Sequence, residues 1–189
     1  MKYEVEQKHR VADVPALVAR LAERGVEIQP VVQHADRYFN HPCRDFAQTD
    51  EAVRIRTVGD RSFVTYKGPK IDNTTKTRQE LELPLDASDV GGLRFAELLG
   101  VLGFRPVLVV HKRRRTFEIE ASGRTVEGTI DEIDGLGTFV ELELAADEPG
   151  VDEAQRVIAA LAKELELGPT ERLSYLELML KKLGKLVSN

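Results

Sequence analysis

The chain has 189 residues, 42% of them apolar and 31% charged, with a formal net charge of −5. That composition describes a globular protein with material for a real core, and its acidic balance argues against nucleic-acid partners, which call for a basic surface. No apolar leader opens the sequence, no stretch is long enough to span a bilayer, and Cys43 is the single cysteine, so a cytoplasmic protein with no membrane attachment, disulfide or cysteine-based metal site is expected.

The first element is Glu4-Val5-Glu6-Gln7-Lys8. In a β-strand, side chains at spacing two point the same way, so both carboxylates and the ammonium share one face while Tyr3 and Val5 take the other. Asp13 then caps a helix running to about Arg24, with Pro15 in its first turn, Gly25 at its end and Leu17, Val18 and Leu21 as its apolar stripe. Val31 to Phe39 reads as a strand broken by Asn40-His41-Pro42. Ala52–Val58 and Ser62–Lys67 read as a hairpin about Gly59-Asp60. Gly68-Pro69 opens the polar run KIDNTTKT, a mobile loop by its lack of periodicity. A strand follows at Arg78–Leu83.

Ser88 or Asp89 starts a second helix that turns Leu93, Leu98, Leu99 and Leu102 inward and closes at Gly103. Three more strands are expected at Pro106–Glu120, Arg124–Ile133 and Thr138–Ala145. Two amphipathic helices follow, at about Val151–Leu167 and Glu171–Leu183, separated by Gly168-Pro169. No repeat or interdomain linker divides the chain. The reading is one α+β domain over residues 1–189, a barrel or strongly curved antiparallel sheet with helices 151–184 packed on it.

Period two repeats the charged face on strand after strand. Arg54 and Arg56 share a face; Lys67 lies with Thr65 and Phe63; Arg78, Glu80 and Glu82 align; so do Lys112 and Arg114. Asp131 lies with Thr129, and Glu141 with Glu143 opposite Val140, Leu142 and Leu144. A one-sided sheet would turn these charges to water. However, the helices carry apolar stripes of their own and need a sheet face to cover. With helices outside a closed barrel, the apolar faces point outward and the charges into the lumen. Seven carboxylates (Glu4, Glu6, Glu80, Glu82, Asp131, Glu141, Glu143) would then meet seven cations (Lys8, Arg54, Arg56, Lys67, Arg78, Lys112, Arg114). Burial of so many charges requires pairing or bound ions. Carboxylates suit a hard divalent metal, and the Arg fork suits phosphate. The basic runs His111–Arg115 and Lys181–Lys185 do not change the partner reading. Alternation turns Arg113 and Arg115 outward, and the terminal lysines complement a helix dipole.

In order and spacing these residues resemble the CYTH family, the triphosphate tunnel metalloenzymes that include class IV adenylyl cyclases and thiamine and inorganic triphosphatases. The resemblance starts from Glu4-Val5-Glu6-Gln7-Lys8 and extends to Glu141/Glu143. It implies an eight-stranded antiparallel barrel forming a tunnel, flanked by helices. It implies that Glu4, Glu6, Glu141 and Glu143 hold Mg²⁺ or Mn²⁺. Asp131 is a further candidate ligand, and Glu80 and Glu82 are second-site or ordering carboxylates. Lys8, Arg54, Arg56, Lys67, Arg78, Lys112 and Arg114 would grip the triphosphate, with Lys8, Lys67, Lys112 and Arg114 the catalytic cations. Asp36, Tyr38, His41-Pro42 and Arg44-Asp45-Phe46 are most similar to the class IV cyclase branch. That branch implies ATP as substrate, with cyclic AMP and pyrophosphate as products.

The alternative is a triphosphatase for inorganic tripolyphosphate, thiamine triphosphate or a nucleoside triphosphate. The charge pattern itself does not choose which phosphorus is attacked. A non-catalytic nucleotide or polyphosphate binder is a third reading, opposed by the intact carboxylate set. Tyr38, Phe46 and loop 68–77 are candidates for a purine pocket, against the plain reading that the aromatics are packing. The resemblance and the stripes of the last two helices also suggest a homodimer.

Overall fold

The computed structural model describes residues 2–69 and 78–185. Eight strands form one antiparallel sheet: β1 (Lys2–Val11), β2 (Val32–Asn40), β3 (Ala52–Val58), β4 (Arg61–Lys67), β5 (Glu80–Pro84), β6 (Arg105–Ala121), β7 (Arg124–Ile133) and β8 (Gly137–Asp147). Their order across the sheet is β1-β8-β7-β6-β2-β3-β4-β5. The sheet curls until its two edges approach, and Arg78, just ahead of β5, makes an isolated antiparallel bridge to Glu4 of β1. The polar run 70–77 lies outside the described residues.

Five helices flank the sheet: α1 (Val14–Glu23), the single turn α2 (Phe46–Thr49), α3 (Leu93–Val101), α4 (Val151–Glu164) and α5 (Tyr175–Lys182). Local chemistry sets their starts. The Asp13 carboxylate accepts from Ala16 N at 3.0 Å, Asp45 caps α2 through Ala47 N, and Ser174 with Glu177 forms a reciprocal capping box on α5. Asp89 accepts from the backbone N–H groups of Arg94 and Phe95 and so anchors the entry to α3.

The main core lies outside the curl. Val5, Val126, Ile130, Val140, Leu142 and Leu144 on the outer face pack with Leu17 and Leu21 of α1. They also pack with Ala154, Ile158 and Leu161 of α4 and with Leu165 just past its end. Each fully buried aliphatic side chain there contributes roughly 1.5–3 kcal/mol. A second cluster covers β2 and β3 with α3: Phe39 and Ile55 against Leu99, Phe95 and Ala96. A third lies at one end of the curl, where Tyr175 and Leu178 of α5 meet Tyr38, Val110, Ile133 and Phe139.

Two expectations need correction. In α3 only Leu99 of the four leucines turns inward; Leu93, Leu98 and Leu102 are exposed. The helix is entered through a left-handed pair, Gly91-Gly92, which rotates its start and gives the inner face to Phe95, Ala96 and Leu99. The stripes of the last two helices, read as exposed, are instead largely packed on the sheet of their own chain: Ala154, Val157, Ile158 and Leu161 of α4 and Tyr175 and Leu178 of α5 are buried there, while Leu183 just past α5 is exposed.

The chain between α4 and α5 secures the free edge of β1. His9 bridges Thr170, Glu171 N donates to Lys8 O at 2.6 Å, and His9 Nδ1 lies 2.7 Å from Gly168 O. On the outer face, Phe117 of β6 lies directly opposite Gly128 of β7. A Cβ built on Gly128 would come within 2.0 Å of the Phe117 ring. Gly128→Ala should therefore lower stability by about 1–3 kcal/mol, the range for overpacking. Equilibrium denaturant unfolding checks this, and Phe117→Leu placed on top of it should recover part of the loss.

Candidate active site

Alternation along every strand turns one set of side chains into the curl, where they line a cavity of about 740 Å³. Glu4, Glu6 and Lys8 project from β1, Arg54 and Arg56 from β3, Lys67 from β4 and Glu80 and Glu82 from β5. Lys112 and Arg114 come from β6, Glu141 and Glu143 from β8, and Arg78 from the segment before β5. Thirteen of the fourteen charged residues grouped by the sequence thus line one cavity. Arg113 points outward and pairs with Glu132 on the surface, as alternation requires.

The exception is Asp131. It is fully buried behind the cavity wall, and both its oxygens are engaged. Arg114 Nε donates to Oδ1 at 2.6 Å and Arg114 Nη2 to Oδ2, while Lys112 Nζ lies 3.3 Å from Oδ2. A carboxylate held by an Arg fork and an ammonium has three of its about four acceptor positions taken. Asp131 anchors two lumen cations.

Asp36 does the same on β2. Arg56 donates from Nε to Oδ1 at 2.7 Å and from Nη2 to Oδ2 at 2.8 Å, and Arg54 Nη1 reaches Oδ2 at 3.3 Å. The sequence analysis noted Asp36 only as a branch mark. Period two counted back from Tyr38 places it on the inner face, which was the available signal. Burial opposes ionisation of Asp36, but Arg54 and Arg56 outweigh it and hold the carboxyl well below the usual range. Burial likewise opposes the charge on Asp131, and Arg114 and Lys112 overcome it.

Burial, reinforced by Arg114, lowers Lys112 to about 7. His34, on the same face, is lowered to about 3 by burial and the surrounding Lys112 and Arg56, so its imidazole is neutral at physiological pH. Glu80 pairs with Lys67 and lies 3.8 Å from Arg54, and Glu82 accepts from Thr65 Oγ1 at 2.8 Å. Arg114 also donates to Glu141 at 2.7 Å. Each cation on this side is thus held by a carboxylate in fixed geometry.

The opposite wall gathers carboxylates. Glu6 of β1 sits directly across from Glu143 of β8, and Glu143 across from Glu127 of β7. Like charges in facing positions repel. Burial, then Glu4 and Glu6, raise Glu143 to about 8; burial, then Glu80, raise Glu4 to about 7. Among the described residues no three ligating side chains converge closely enough to hold a metal as they stand. The donor set nevertheless fits a hard divalent cation, because oxygen ligands surround excess negative charge and Mg²⁺ completes its shell with water and phosphate. Glu4, Glu6 and Glu143 are the side chains that could hold one, with Glu141 on the same strand face.

Tyr38, Phe46, Ala47, Val107 and Leu176 add apolar surface to the cavity lining, alongside Asp45, Asp50 and Glu177. Phe46 and Tyr38, the purine candidates, therefore do lie on the cavity, though both are largely buried. Glu127 and Tyr175 also line the cavity; period two counted back from Asp131 and Thr129 was the available signal for Glu127, while Tyr175 had none.

The whole-chain comparison matches this architecture. A CYTH domain extends over residues 2–174. The chain belongs to the CYTH family. A putative adenylate cyclase of Methanocaldococcus jannaschii is 36% identical over 180 residues, covering 93% of this chain and 97% of that protein. Adenylate cyclase CyaB of Aeromonas hydrophila is 31% identical over 150 residues, covering 78% of this chain and 71% of that one. A solved Pyrococcus horikoshii protein is 40% identical, superposes with a TM-score of 0.82, and is matched over 95% of this chain and 99% of its own. Among the described residues of this CYTH chain no helix is long and apolar enough to cross a membrane.

The anchoring role of Asp36 has a measurable sign. Its folded-state pKa is depressed, so its stabilisation is present above the unfolded value near 3.8 and is lost as pH falls through the folded one. Asp36→Asn should cost about 3 kcal/mol at pH 7, the scale for breaking a buried ion pair. It should also flatten the fall in stability as pH drops below about 3.8. Urea unfolding at stepped pH reads both.

Proposed function

We propose that this CYTH protein is a divalent-metal-dependent enzyme acting on a triphosphate inside the curled sheet. In this reading it converts ATP to cyclic AMP and pyrophosphate. The observation that carries the proposal is the division of the lumen. Cations anchored by Asp36, Asp131 and Glu80 face a wall of mutually repelling carboxylates. Such a cavity is complementary to a polyanion and its counter-cation together. The adenylate cyclase names of the two relatives supply the choice of ATP.

Arg54, Arg56, Lys67, Lys112 and Arg114 bind and orient the phosphate chain, with Lys8 and Arg78 on the remaining wall. Because Asp36 and Asp131 fix the guanidinium planes before substrate arrives, little reorganisation accompanies the reaction, which is how electrostatic stabilisation becomes effective. These cations offset the charge that gathers on pyrophosphate as it departs. Mg²⁺ or Mn²⁺ held by Glu4, Glu6 and Glu143, with Glu141 adjoining, would supply positive charge to the phosphates and to the attacking ribose oxygen. Glu80 orders Lys67 and Arg54, and Glu82 orders Thr65. The apolar surface with Tyr38 and Phe46 receives the nucleoside and keeps water from the reacting phosphorus.

The test incubates purified protein with ATP or tripolyphosphate and Mg²⁺ or Mn²⁺ at neutral and alkaline pH. Cyclic AMP with pyrophosphate supports the cyclase reading. ADP or pyrophosphate with free phosphate overturns that reading in favour of triphosphate hydrolysis. No turnover of either substrate removes the enzyme reading.

Two variants separate the walls. Glu6→Ala should abolish Mn²⁺ binding in calorimetry and reduce turnover by roughly 100-fold or more, the scale of a lost electrostatic stabiliser. Asp131→Asn should bind Mn²⁺ like the parent yet bind triphosphate weakly. Loss of Mn²⁺ binding there would return Asp131 to the metal set.

A further inference from the structure

The charged residues above account for the cavity wall supplied by the sheet. One group in the cavity comes from elsewhere. Tyr175, the first residue of α5, is inserted into the lumen end with its side chain almost wholly buried. Its hydroxyl is buried and, among the described residues, has no hydrogen-bond partner. A buried hydroxyl without a partner is costly, and tyrosine in a core normally satisfies it.

The surroundings say what partner would suit it. Lys8 Nζ lies 4.2 Å from the centroid of the Tyr175 ring, and Lys112 Nζ lies 5.4 Å from it. The ring is held edge-on against Phe139 at 5.3 Å between centroids. Lys8 Nζ also donates to Leu173 O, two residues before Tyr175, so the backbone leading into α5 and the ring face fix the same ammonium. Asp131 and Glu141, the two carboxylates that act on the phenol most strongly, are already engaged by Arg114. Burial, with the fields of Glu141 and Asp131, raises the phenol well above its ordinary value, so the hydroxyl keeps its proton and can donate. The acceptor that fits is an anion resting among Lys8, Lys112 and Arg114.

We infer that Tyr175 belongs to the substrate-binding machinery. Its hydroxyl donates to a phosphoryl oxygen of the triphosphate, and its ring is the platform on which Lys8 and Lys112 are held toward that phosphoryl group. This rests on the reading of the lumen as a triphosphate site. The site is therefore completed by α5, and phosphate recognition is shared between the sheet and a helix that the chain adds last.

The two roles separate by substitution. Tyr175→Phe keeps the ring and removes the donor; Tyr175→Leu removes both. Calorimetric titration with inorganic tripolyphosphate in excess Mg²⁺ should show Tyr175→Phe binding about tenfold more weakly than the parent, the scale of one hydrogen bond to a charged acceptor. Tyr175→Leu should bind more weakly still. Without ligand, Tyr175→Phe should melt at the parent temperature or above it, because it deletes an unsatisfied group. A merely structural hydroxyl would give the opposite sign. Parent-like affinity in Tyr175→Phe, or a lower melting temperature without ligand, overturns the donor role. Equal affinities for the Phe and Leu variants overturn the platform role. If Tyr175→Leu does not fold, the Phe variant still decides the donor. If the parent protein itself binds no tripolyphosphate, the triphosphate reading of the lumen fails and this inference with it. Parent binding with an unaffected Tyr175→Phe removes the inference alone.

Discussion

The structure depends on placing charge inside a curled sheet without leaving it uncompensated. An isolated ionised side chain in such a setting would neutralise or fail to bury. Asp36 and Asp131 answer that constraint on one side. Each is buried to about 1% exposure or less, and each takes two cations, one of them through a forked guanidinium contact. Breaking either set would strand a buried guanidinium, which is far costlier than losing a surface pair. Because the inner face is committed to charge, the apolar residues of β1, β7 and β8 must face out. They need α1 and α4 to cover them, and the packing of Leu17, Leu21, Ile158 and Leu161 is the consequence.

The same constraint makes the two walls behave differently. On the β2, β3 and β6 side, anchoring carboxylates stabilise their partners in the charged form and fix them in direction. An Arg already holding Asp36 or Asp131 with part of its fork keeps other N–H groups for a ligand, since guanidinium carries five donors. On the β1, β7 and β8 side, Glu6, Glu143 and Glu127 meet one another across the ladders. Their repulsion, added to burial, pushes carboxyls upward instead of down. One wall pairs its cations with buried carboxylates, and the other sets carboxylates opposite one another. A ligand that brings phosphate to the first and a cation to the second suits both.

Much of this was legible in the sequence because strand periodicity is local. Alternation in Glu4-Val5-Glu6-Gln7-Lys8, Arg54/Arg56 and Glu141/Glu143 fixed the inner face, and the stripes of α1 and α4 fixed what lies outside. The role of Asp131 was not legible. A carboxylate on the right face looks the same whether it meets a metal or an Arg, and the β6–β7 register that sets Arg114 opposite Asp131 is a long-range fact. Asp36 reaches Arg56 through the β2–β3 register in the same way. The α3 leucines were misread for a related reason: helical spacing gives a stripe, but the Gly91-Gly92 entry decides which arc meets the sheet.

Tyr175 could not be found by periodicity at all, and the reason lies at the seam of the sheet. β1 carries Glu4, Glu6 and Lys8, yet among the described residues only one of its edges is laddered, to β8. Its other edge is met by Arg78 at Glu4 and by the chain at residues 168–171 along Lys8 and His9. A strand held on one side alone is free to twist, and a small rotation would swing its carboxylates and ammonium away from the cavity. The segment that closes this edge is also the segment that leads into α5. Fixing β1 and inserting Tyr175 are therefore one structural event: the backbone that pins Lys8 through its carbonyl also brings the ring beneath its ammonium. The orientation of the opening strand is thus set by residues about 160 positions away, which is why a charged motif so clear in the first eight residues needs the end of the chain to become a site.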